Sequence, residues 1–237
     1  MKTRQKYDII TDTKFERRDK MLKGVIFDMD GLMIDTEKLL TRFWCEAANF
    51  YGYPMTKEHV LGIRSLAAKY AIPHLKGIFG EDFDYYKVRG KRIELMNEFI
   101  RQNGIEKKKG LDELLDYLDS TGLKKAVATA TDLQRTTLYL SSINIIDRFD
   151  KLICGNMIEN GKPAPDIYLT AAKELGLSPS ECIALEDSPN GIRSAYAAGC
   201  KPVMIPDLSQ PDEETKKLLH ACCDDLSKVI GVIQKLV

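Results

Sequence analysis

Short apolar segments that alternate with helical patterns constrain the fold of this chain more than any other feature. Each segment is bounded by polar or turn-forming residues, which is typical of a buried strand. Between them, apolar residues recur at helical spacing, as Leu111, Leu114 and Leu118 do. Strands separated by helices form parallel sheets with helices on both faces, so we expect an α/β fold with a doubly wound parallel sheet. The predicted strands cover residues 23–28, 124–131, 151–154, 182–187 and 202–205.

One long segment, residues 36–103, departs from this alternation. It contains helical patterns with glycine and proline breaks but no strand pattern, and it follows the first predicted strand. We therefore predict an all-helical cap domain at 36–103, inserted into a discontinuous core that comprises residues 21–35 and 104–237. Residues 1–20 are polar and lack a clear periodicity. We expect them to be an N-terminal extension that is dispensable for the chemistry.

The composition narrows the class of protein. Of the 237 residues, 44% are hydrophobic and 30% are charged, the balance of a globular protein with a sizeable core. Lysine plus arginine equals aspartate plus glutamate, 35 against 35, so no net field attracts nucleic acid or an anionic membrane. The six cysteines are scattered without a CxxC pair, which favours reduced thiols. With no bilayer-spanning run or apolar leader in the sequence, we expect a cytoplasmic monomer that binds neither nucleic acid nor membrane.

Reactive side chains stand at the ends of three predicted strands. Ligands of open parallel sheets bind beyond the carboxyl ends of the strands, so these groups converge if the strands are neighbours. A proline-bracketed loop places Lys162 just before a helix and adds a positive charge. The three strand ends carry, in pairs, Asp28 and Asp30, Thr129 and Thr131, and Glu186 and Asp187.

This set of groups suits phosphoryl transfer. An aspartate can attack a phosphate ester and form a covalent aspartyl-phosphate, and Asp28 is the candidate nucleophile. Because the carboxylate and the phosphate repel each other, the site requires Mg²⁺ between them and cationic cover for the other phosphate oxygens. Asp30 is the candidate acid that protonates the leaving oxygen, and the base that then activates the attacking group.

Four segments resemble the signature motifs of the haloacid dehalogenase-like superfamily: FDMDG, VATAT, GKPAPD and ALEDSPNG, in this order. The match extends from Gly24 to about Pro206 and is closest to the subgroup of small-molecule phosphatases and β-phosphoglucomutase, whose cap follows the first motif. The resemblance implies a Rossmann-like core, an activity on phosphate esters and a requirement for Mg²⁺. It also implies roles for seven residues: nucleophile and metal ligand for Asp28, acid/base and metal ligand through its carbonyl for Asp30, phosphate binding for Thr129, Ala130 and Lys162, and Mg²⁺ binding for Glu186 and Asp187.

Several candidates have two interpretations. Arg64 lies in a segment, LGIRS, that resembles the substrate-specificity loop of the subgroup. It either grips a distal phosphate or carboxylate of the substrate or forms a surface salt bridge. Trp44 is either a substrate platform or a core residue, and Glu186 either binds the metal directly or positions other groups. The basic residues Lys87, Arg89, Lys91 and Arg92 are interpreted as a solvated helix face, with the alternative that one of them reaches the site.

Three functions are compatible with these motifs: a Mg²⁺-dependent phosphatase of a small phosphorylated metabolite, a β-phosphoglucomutase-like sugar phosphomutase, and a non-catalytic binder. No catalytic position is replaced, which disfavours the binder, and the dehalogenases of the superfamily lack the equivalent of Asp30. β-Phosphoglucomutase resembles this chain around Asp35, Thr36 and Trp44 but has a histidine where this chain has Leu40. Since leucine cannot relay a proton, we predict a phosphatase, with the phosphomutase as the alternative.

Overall fold

The computed structural model describes residues 21–64 and 66–237, so the expectation for residues 1–20 lies outside the described residues. Within this range six strands form one parallel sheet in the order β3-β2-β1-β4-β5-β6. The first strand is central, because it pairs with β2 on one side and with β4 on the other. The ends of the three strands that carry predicted site residues are therefore neighbours. The strands are β1 Gly24–Phe27, β2 Lys124–Thr129, β3 Lys151–Cys154, β4 Cys182–Glu186, β5 Lys201–Met204 and β6 Ala221–Cys222.

The helices in the described part of the chain either flank the sheet or form the cap. None of these described helices is both long enough and apolar enough to cross a membrane. The α-helices are α1 Glu37–Phe50, α2 Lys57–Gly62, α3 Ala68–Phe79, α4 Tyr85–Asn103, α5 Leu111–Thr121, α6 Leu133–Ser142, α7 Asp166–Glu174, α8 Pro189–Ala198, α9 Glu213–Lys216 and α10 Val229–Ile233.

Both faces of the sheet are covered by helices. Val25 and Phe27 of β1 belong to a core that also contains residues of α5, α6 and α10. Ile26, between them, belongs to a second core with residues of α7 and α8. All three side chains are fully buried, and each such burial stabilises the fold by about 1.5–3 kcal/mol. The alternation confirms the doubly wound α/β fold that the strand and helix patterns predict.

The cap is the helical unit α1–α4, which follows β1 and precedes α5. Most of its buried residues form a core separate from the two cores on the sheet, with Trp44, Ala47, Leu75, Phe83 and Val88 among them. Phe43, Met96 and Ile100 instead join the core on one face of the sheet. The inserted all-helical cap is thus confirmed, whereas the boundaries of the domains stay a prediction.

The structure differs from the predictions in two local details. The sequence pattern predicts a final amphipathic helix over 226–237. The helix covers only Val229–Ile233, because Asp225 first caps a tight turn over residues 226–228. The short strand β6 has no strand pattern in the sequence and pairs with β5 over only two residues. Neither detail touches the edge of the sheet where the predicted site residues lie.

Candidate active site

Asp28, Lys162 and Glu186 form a buried cluster of charges at the carboxyl edge of the sheet. Asp28 directly follows β1, Glu186 ends β4, and Lys162 reaches both from the loop before α7. The Lys162 Nζ atom lies 2.5 Å from Asp28 Oδ1 and 2.6 Å from Glu186 Oε1, and it donates to the Ala128 carbonyl at 3.1 Å. The fold therefore brings together three of the predicted residues, which lie in three distant segments of the chain.

Burial dominates the electrostatics of this cluster. It raises the pKa of Asp28 well above its usual range, and the nearby Lys162 offsets only part of the effect. Burial alone would lower the pKa of Lys162, but the charges of Asp28 and Glu186 outweigh it and raise that pKa. Burial also raises the pKa of Asp187, against the opposing charge of Arg64. Closely spaced buried carboxylates resist ionising together, so the site favours a further cation.

Two threonine hydroxyls hold the carboxylate of Asp30. Thr36 Oγ1 donates to Asp30 Oδ1 at 2.6 Å, and Thr131 Oγ1 donates to Asp30 Oδ2 at 2.7 Å. Neither hydroxyl caps the helix that follows it: α1 has no side-chain cap, and Asp132 caps α6. Asp30 lines the same cavity as Asp28, so the hydroxyls fix the orientation of the predicted acid/base beside the predicted nucleophile.

Thr129 and Ala130 lie at the end of β2 and line the cavity as well. The Thr129 side chain is buried, and its Oγ1 accepts a hydrogen bond from the backbone N–H of Thr131 at 3.1 Å. Its own hydroxyl hydrogen remains available as a donor. Gly155 packs tightly on this turn, since a Cβ atom there would lie 2.3 Å from the Ala130 carbonyl oxygen. The phosphate-binding role of Thr129 and Ala130 stays a prediction.

Three carboxylates fit a bound metal ion. One oxygen atom from each of Asp28, Glu186 and Asp187 lies within 4.8 Å of the other two. Asp187 Oδ1 is buried and has no hydrogen-bond partner among the described residues, an arrangement that costs free energy. Oxygen ligands of this kind are those that Mg²⁺ prefers. The Asp30 side chain is outside this group of three, which is consistent with the prediction that only its carbonyl contacts the metal.

Glu186 is the most constrained of these carboxylates. Its Oε1 atom accepts hydrogen bonds from Lys162 Nζ and, at 2.5 Å, from the Tyr168 hydroxyl. Its Oε2 atom has longer contacts, 3.3 Å to the Asp187 N–H and 3.4 Å to the Ser188 hydroxyl. Both interpretations of Glu186 therefore stand. Tyr168 is not predicted as a site residue from the sequence, because it lies on the buried face of α7, where core packing alone accounts for an aromatic residue.

Two glycines let the backbone approach these carboxylates closely. A Cβ atom on Gly31 would lie 2.0 Å from Asp187 Oδ2, and the φ angle of Gly31 is +83°. A Cβ atom on Gly191 would lie 1.9 Å from the carboxyl carbon of Glu186. The glycine of the FDMDG segment thus allows the turn after β1 to pack on the end of β4.

Arg64 reaches from the cap into the carboxylate cluster. Its Nη2 atom donates to Asp187 Oδ2, and its Nε atom lies 3.1 Å from Glu37 Oε2. Arg64 is only 7% exposed, so the surface salt bridge is the wrong interpretation. Burial, with Arg64 opposing it, raises the pKa of Glu37 to about 8. Glu37 was not predicted as a site residue, because an acid in the first turn of a helix is commonly explained by the helix dipole.

A cavity of about 470 Å³ is lined by these core residues and by residues of the cap. Its volume is within the range of small-molecule sites, roughly 300–1,000 Å³. Trp44 lines the cavity and also packs on Tyr85 in the cap core, with 5.4 Å between the ring centroids. Leu40 adds an apolar surface. The two interpretations of Trp44 are thus compatible.

Arg89 and Arg92 contradict the interpretation of segment 87–92 as a solvated helix face. Both line the cavity, and Arg92 is only 5% exposed. A signal for this is present in the sequence: Arg92 lies four residues after Val88 and four before Met96, and all three are on the buried stripe of α4. The surrounding lysines and arginines conceal that stripe.

We expect the Lys162→Met variant to lose about 3–5 kcal/mol of unfolding free energy, because it leaves Asp28 and Glu186 buried without their cation. Urea unfolding in EDTA measures this loss. As a control, Lys151→Met removes a half-exposed lysine whose partner Glu174 is 3.6 Å away, and it should cost less than about 1 kcal/mol. Equal losses in the two variants would contradict the described role of Lys162.

A parallel sheet with carboxylates and a buried lysine at its carboxyl edge, under a helical cap, defines the class of capped α/β hydrolases. The chain belongs to the haloacid dehalogenase-like hydrolase family, whose model matches residues 25–205. This confirms the family to which the four sequence motifs point.

Relatives with known names lie within this family. The chain is 29% identical to the phosphorylated carbohydrates phosphatase of Thermotoga maritima over 77% of its own length and 84% of that protein. It is 32% identical to a Drosophila melanogaster protein named "Probable pseudouridine-5'-phosphatase", over 83% and 88% of the two chains. The crystal structure of β-phosphoglucomutase from Clostridium difficile superposes with a TM-score of 0.77 at 24% identity, covering 91% and 96% of the chains. That last similarity concerns the fold alone.

Proposed function

We propose that this hydrolase of phosphoric monoesters is a Mg²⁺-dependent phosphatase, which hydrolyses a small phosphorylated metabolite through an aspartyl-phosphate on Asp28. One observation carries the proposal: Asp28 pairs with Lys162 in a buried site, and two hydroxyls orient Asp30 at the same cavity. The relatives named as phosphatases support it.

The side chains divide the reaction between them. A carboxylate oxygen of Asp28 attacks the phosphorus atom, and the leaving alcohol oxygen takes a proton from Asp30. Asp30 then removes a proton from a water molecule, which attacks the phosphorus atom, releases inorganic phosphate and restores Asp28. Thr36 and Thr131 keep Asp30 in position for both steps. The Lys162 ammonium group stabilises negative charge on the phosphoryl oxygens.

The phosphoryl group and the metal have separate partners in this proposal. Thr129 and the backbone of Ala130 bind the phosphoryl group together with Lys162. Mg²⁺ is held by the carboxylates of Asp28 and Asp187 and by the carbonyl of Asp30. Glu186 either binds Mg²⁺ directly or positions the residues that bind it. When bound, Mg²⁺ supplies the positive charge that reduces the repulsion between a carboxylate and a phosphate.

We also propose the domain division predicted from the sequence, a core of 21–35 and 104–237 and a cap of 36–103. The separate cap core supports it. The protein acts as a cytoplasmic monomer on a small metabolite, consistent with its balanced charge. Water is the proposed phosphoryl acceptor, because the apolar Leu40 lines the cavity where β-phosphoglucomutase has a histidine.

The proposal predicts phosphate release from a panel of sugar and polyol phosphates in Mg²⁺. We expect EDTA to lower the rate at least about 100-fold, because the carboxylate attack then lacks its cation. Asp187→Asn should require more Mg²⁺ for half-maximal activity, since a metal ligand is weakened. A second assay, run in parallel, measures whether the protein converts β-glucose 1-phosphate to glucose 6-phosphate. Conversion without free phosphate would establish the phosphomutase alternative, and no reaction in either assay would refute the proposed activity.

A further inference from the structure

Three arginines line the cavity in addition to the groups at the edge of the sheet. Arg89 and Arg92 lie one turn apart on α4 of the cap, and Arg135 lies in the first turn of α6 in the core. Residues three apart on a helix lie on the same face, so α4 presents two guanidinium groups to the cavity. The mechanism described above uses none of them.

Within the part of the chain that the structure describes, Arg92 is a buried cation without a counterion. It is 5% exposed, and no carboxylate among the described residues forms an ion pair with it. Its Nε atom is buried without a hydrogen-bond partner, and its Nη1 atom contacts only the Met96 sulfur, at 3.9 Å. The guanidinium carbon lies 5.4 Å from the centroid of the Trp44 ring. A buried charge with so few partners is costly unless a ligand completes its environment.

The charges around Arg92 do not compensate it. Arg135 pairs with Asp132, with 2.8 Å between its Nε atom and Oδ2, and Arg89 has no ion pair among the described residues. Of the three guanidinium groups, only that of Arg135 is thus paired with a carboxylate among the described residues. Burial, together with Arg135 and Arg89, lowers the pKa of Arg92 to about 10. An anion bound at this point would supply the missing negative charge and would satisfy the guanidinium donors.

The other buried cations of the cavity already have partners. Lys162 contacts Asp28 and Glu186, where the transferred phosphoryl group is proposed to react. Arg64, the residue expected to grip a distal anion, contacts Asp187 and Glu37. Of the buried cations that line the cavity, Arg92 is thus the one whose charge has no anionic partner among the described residues.

We propose that Arg92, with Arg89 and Arg135, binds a second anionic group of the substrate, a phosphate or a carboxylate. The preferred substrate is then a phosphate monoester that carries another anionic group. This inference rests on the proposed phosphatase function, because it assumes that the first phosphate reacts at Asp28. It places the recognition of the distal group on α4 and α6 rather than on Arg64.

Matched substrates test the proposal. One pair is fructose 1,6-bisphosphate and fructose 6-phosphate, and the other is 3-phosphoglycerate and glycerol 3-phosphate, so the two pairs distinguish a phosphate from a carboxylate. We expect the wild-type protein to show a higher kcat/KM for the doubly anionic member of at least one pair. Arg92→Met should reduce that preference roughly 10- to 100-fold, mainly through KM, because a charge-assisted hydrogen bond is lost. Arg101→Met, which removes an exposed arginine of α4, is the control and should keep the preference.

A binding measurement separates this proposal from the proposed function. Calorimetric titration of fructose 1,6-bisphosphate and of fructose 6-phosphate into the Asp28→Asn protein reports affinity without turnover. Weaker bisphosphate binding in the Asp28→Asn, Arg92→Met double variant would support the second anion site even if the wild-type protein hydrolysed no ester. Preference and binding that survive Arg92→Met would overturn the proposal. If Arg92→Met does not fold, Arg89→Met provides the same test at a half-buried position.

Discussion

Replacing Asp28 with asparagine is expected to lower the turnover of p-nitrophenyl phosphate in Mg²⁺ by more than roughly 10⁴-fold, because a carboxamide is a poor nucleophile. The change should leave the fold intact. Lys162 keeps its contact with Glu186, and asparagine has the shape of the aspartic acid that it replaces. Steady-state release of p-nitrophenol, with circular dichroism to verify folding, measures the effect.

The control for this variant is Asp116→Asn, which removes an exposed carboxylate that pairs with Arg148. Neither residue lines the cavity. It should retain wild-type turnover. Mass spectrometry of the wild-type protein, quenched in acid during turnover, should show a phosphoryl group on a peptide that contains Asp28, and the variant should show none. An Asp28→Asn protein with wild-type activity would eliminate the covalent mechanism.

Replacing Asp30 with asparagine is expected to lower the turnover of alkyl phosphates by about 10²–10⁴-fold, the usual contribution of a general acid or base. The geometry should survive. The amide oxygen can accept from one threonine hydroxyl, and the amide nitrogen can donate to the other once that hydroxyl rotates. The loss then reports proton transfer rather than displacement of the side chain.

The leaving group distinguishes the two roles of Asp30. p-Nitrophenolate needs little protonation, so Asp30→Asn should release it in a burst equal to the enzyme concentration and then turn over slowly. An alkyl phosphate should give no burst, because its first step is also slowed. Stopped-flow absorbance measures the burst, and Asp116→Asn again serves as the control. A wild-type rate of p-nitrophenol turnover after the burst would contradict the role of Asp30 as the base of the second step.

The position of the site could be predicted from the sequence, because the site residues follow directly from where the strands end. Asp28, Thr129 and Asp187 stand directly at or after the ends of β1, β2 and β4, and adjacent parallel strands end at one edge. Lys162 was predictable from its loop. These four residues needed only the strand order to become neighbours. The sequence leaves that order open, and the structure supplies it by placing β1 between β2 and β4.

The contacts between cap and core could not be predicted in the same way. Arg64 of the cap contacts Asp187 of the core, and such a contact depends on how the helices of the cap pack on the core. The burial of Arg92 depends on the packing of α4 within the cap. The neighbouring basic residues in the sequence instead suggest an exposed helix face. Phe50 shows the reverse error. The helical spacing of Phe43, Ala47 and Phe50 predicts that they share one face of α1, yet Phe50 is 68% exposed in the last turn, where it packs on Tyr51.

The central position of β1 has a consequence for how the enzyme is made. Gly24 pairs with Lys124 on one side and with Cys182 on the other, and the whole cap is synthesised before either partner exists. Contacts between such distant segments form slowly, whereas the hydrogen bonds within each helix of the cap are local. We therefore expect Asp28, Glu186 and Asp187, the proposed nucleophile and metal ligands, to come together late in folding. Recovery of activity after dilution from denaturant should report the closure of the sheet, and it should lag behind the recovery of helical circular dichroism.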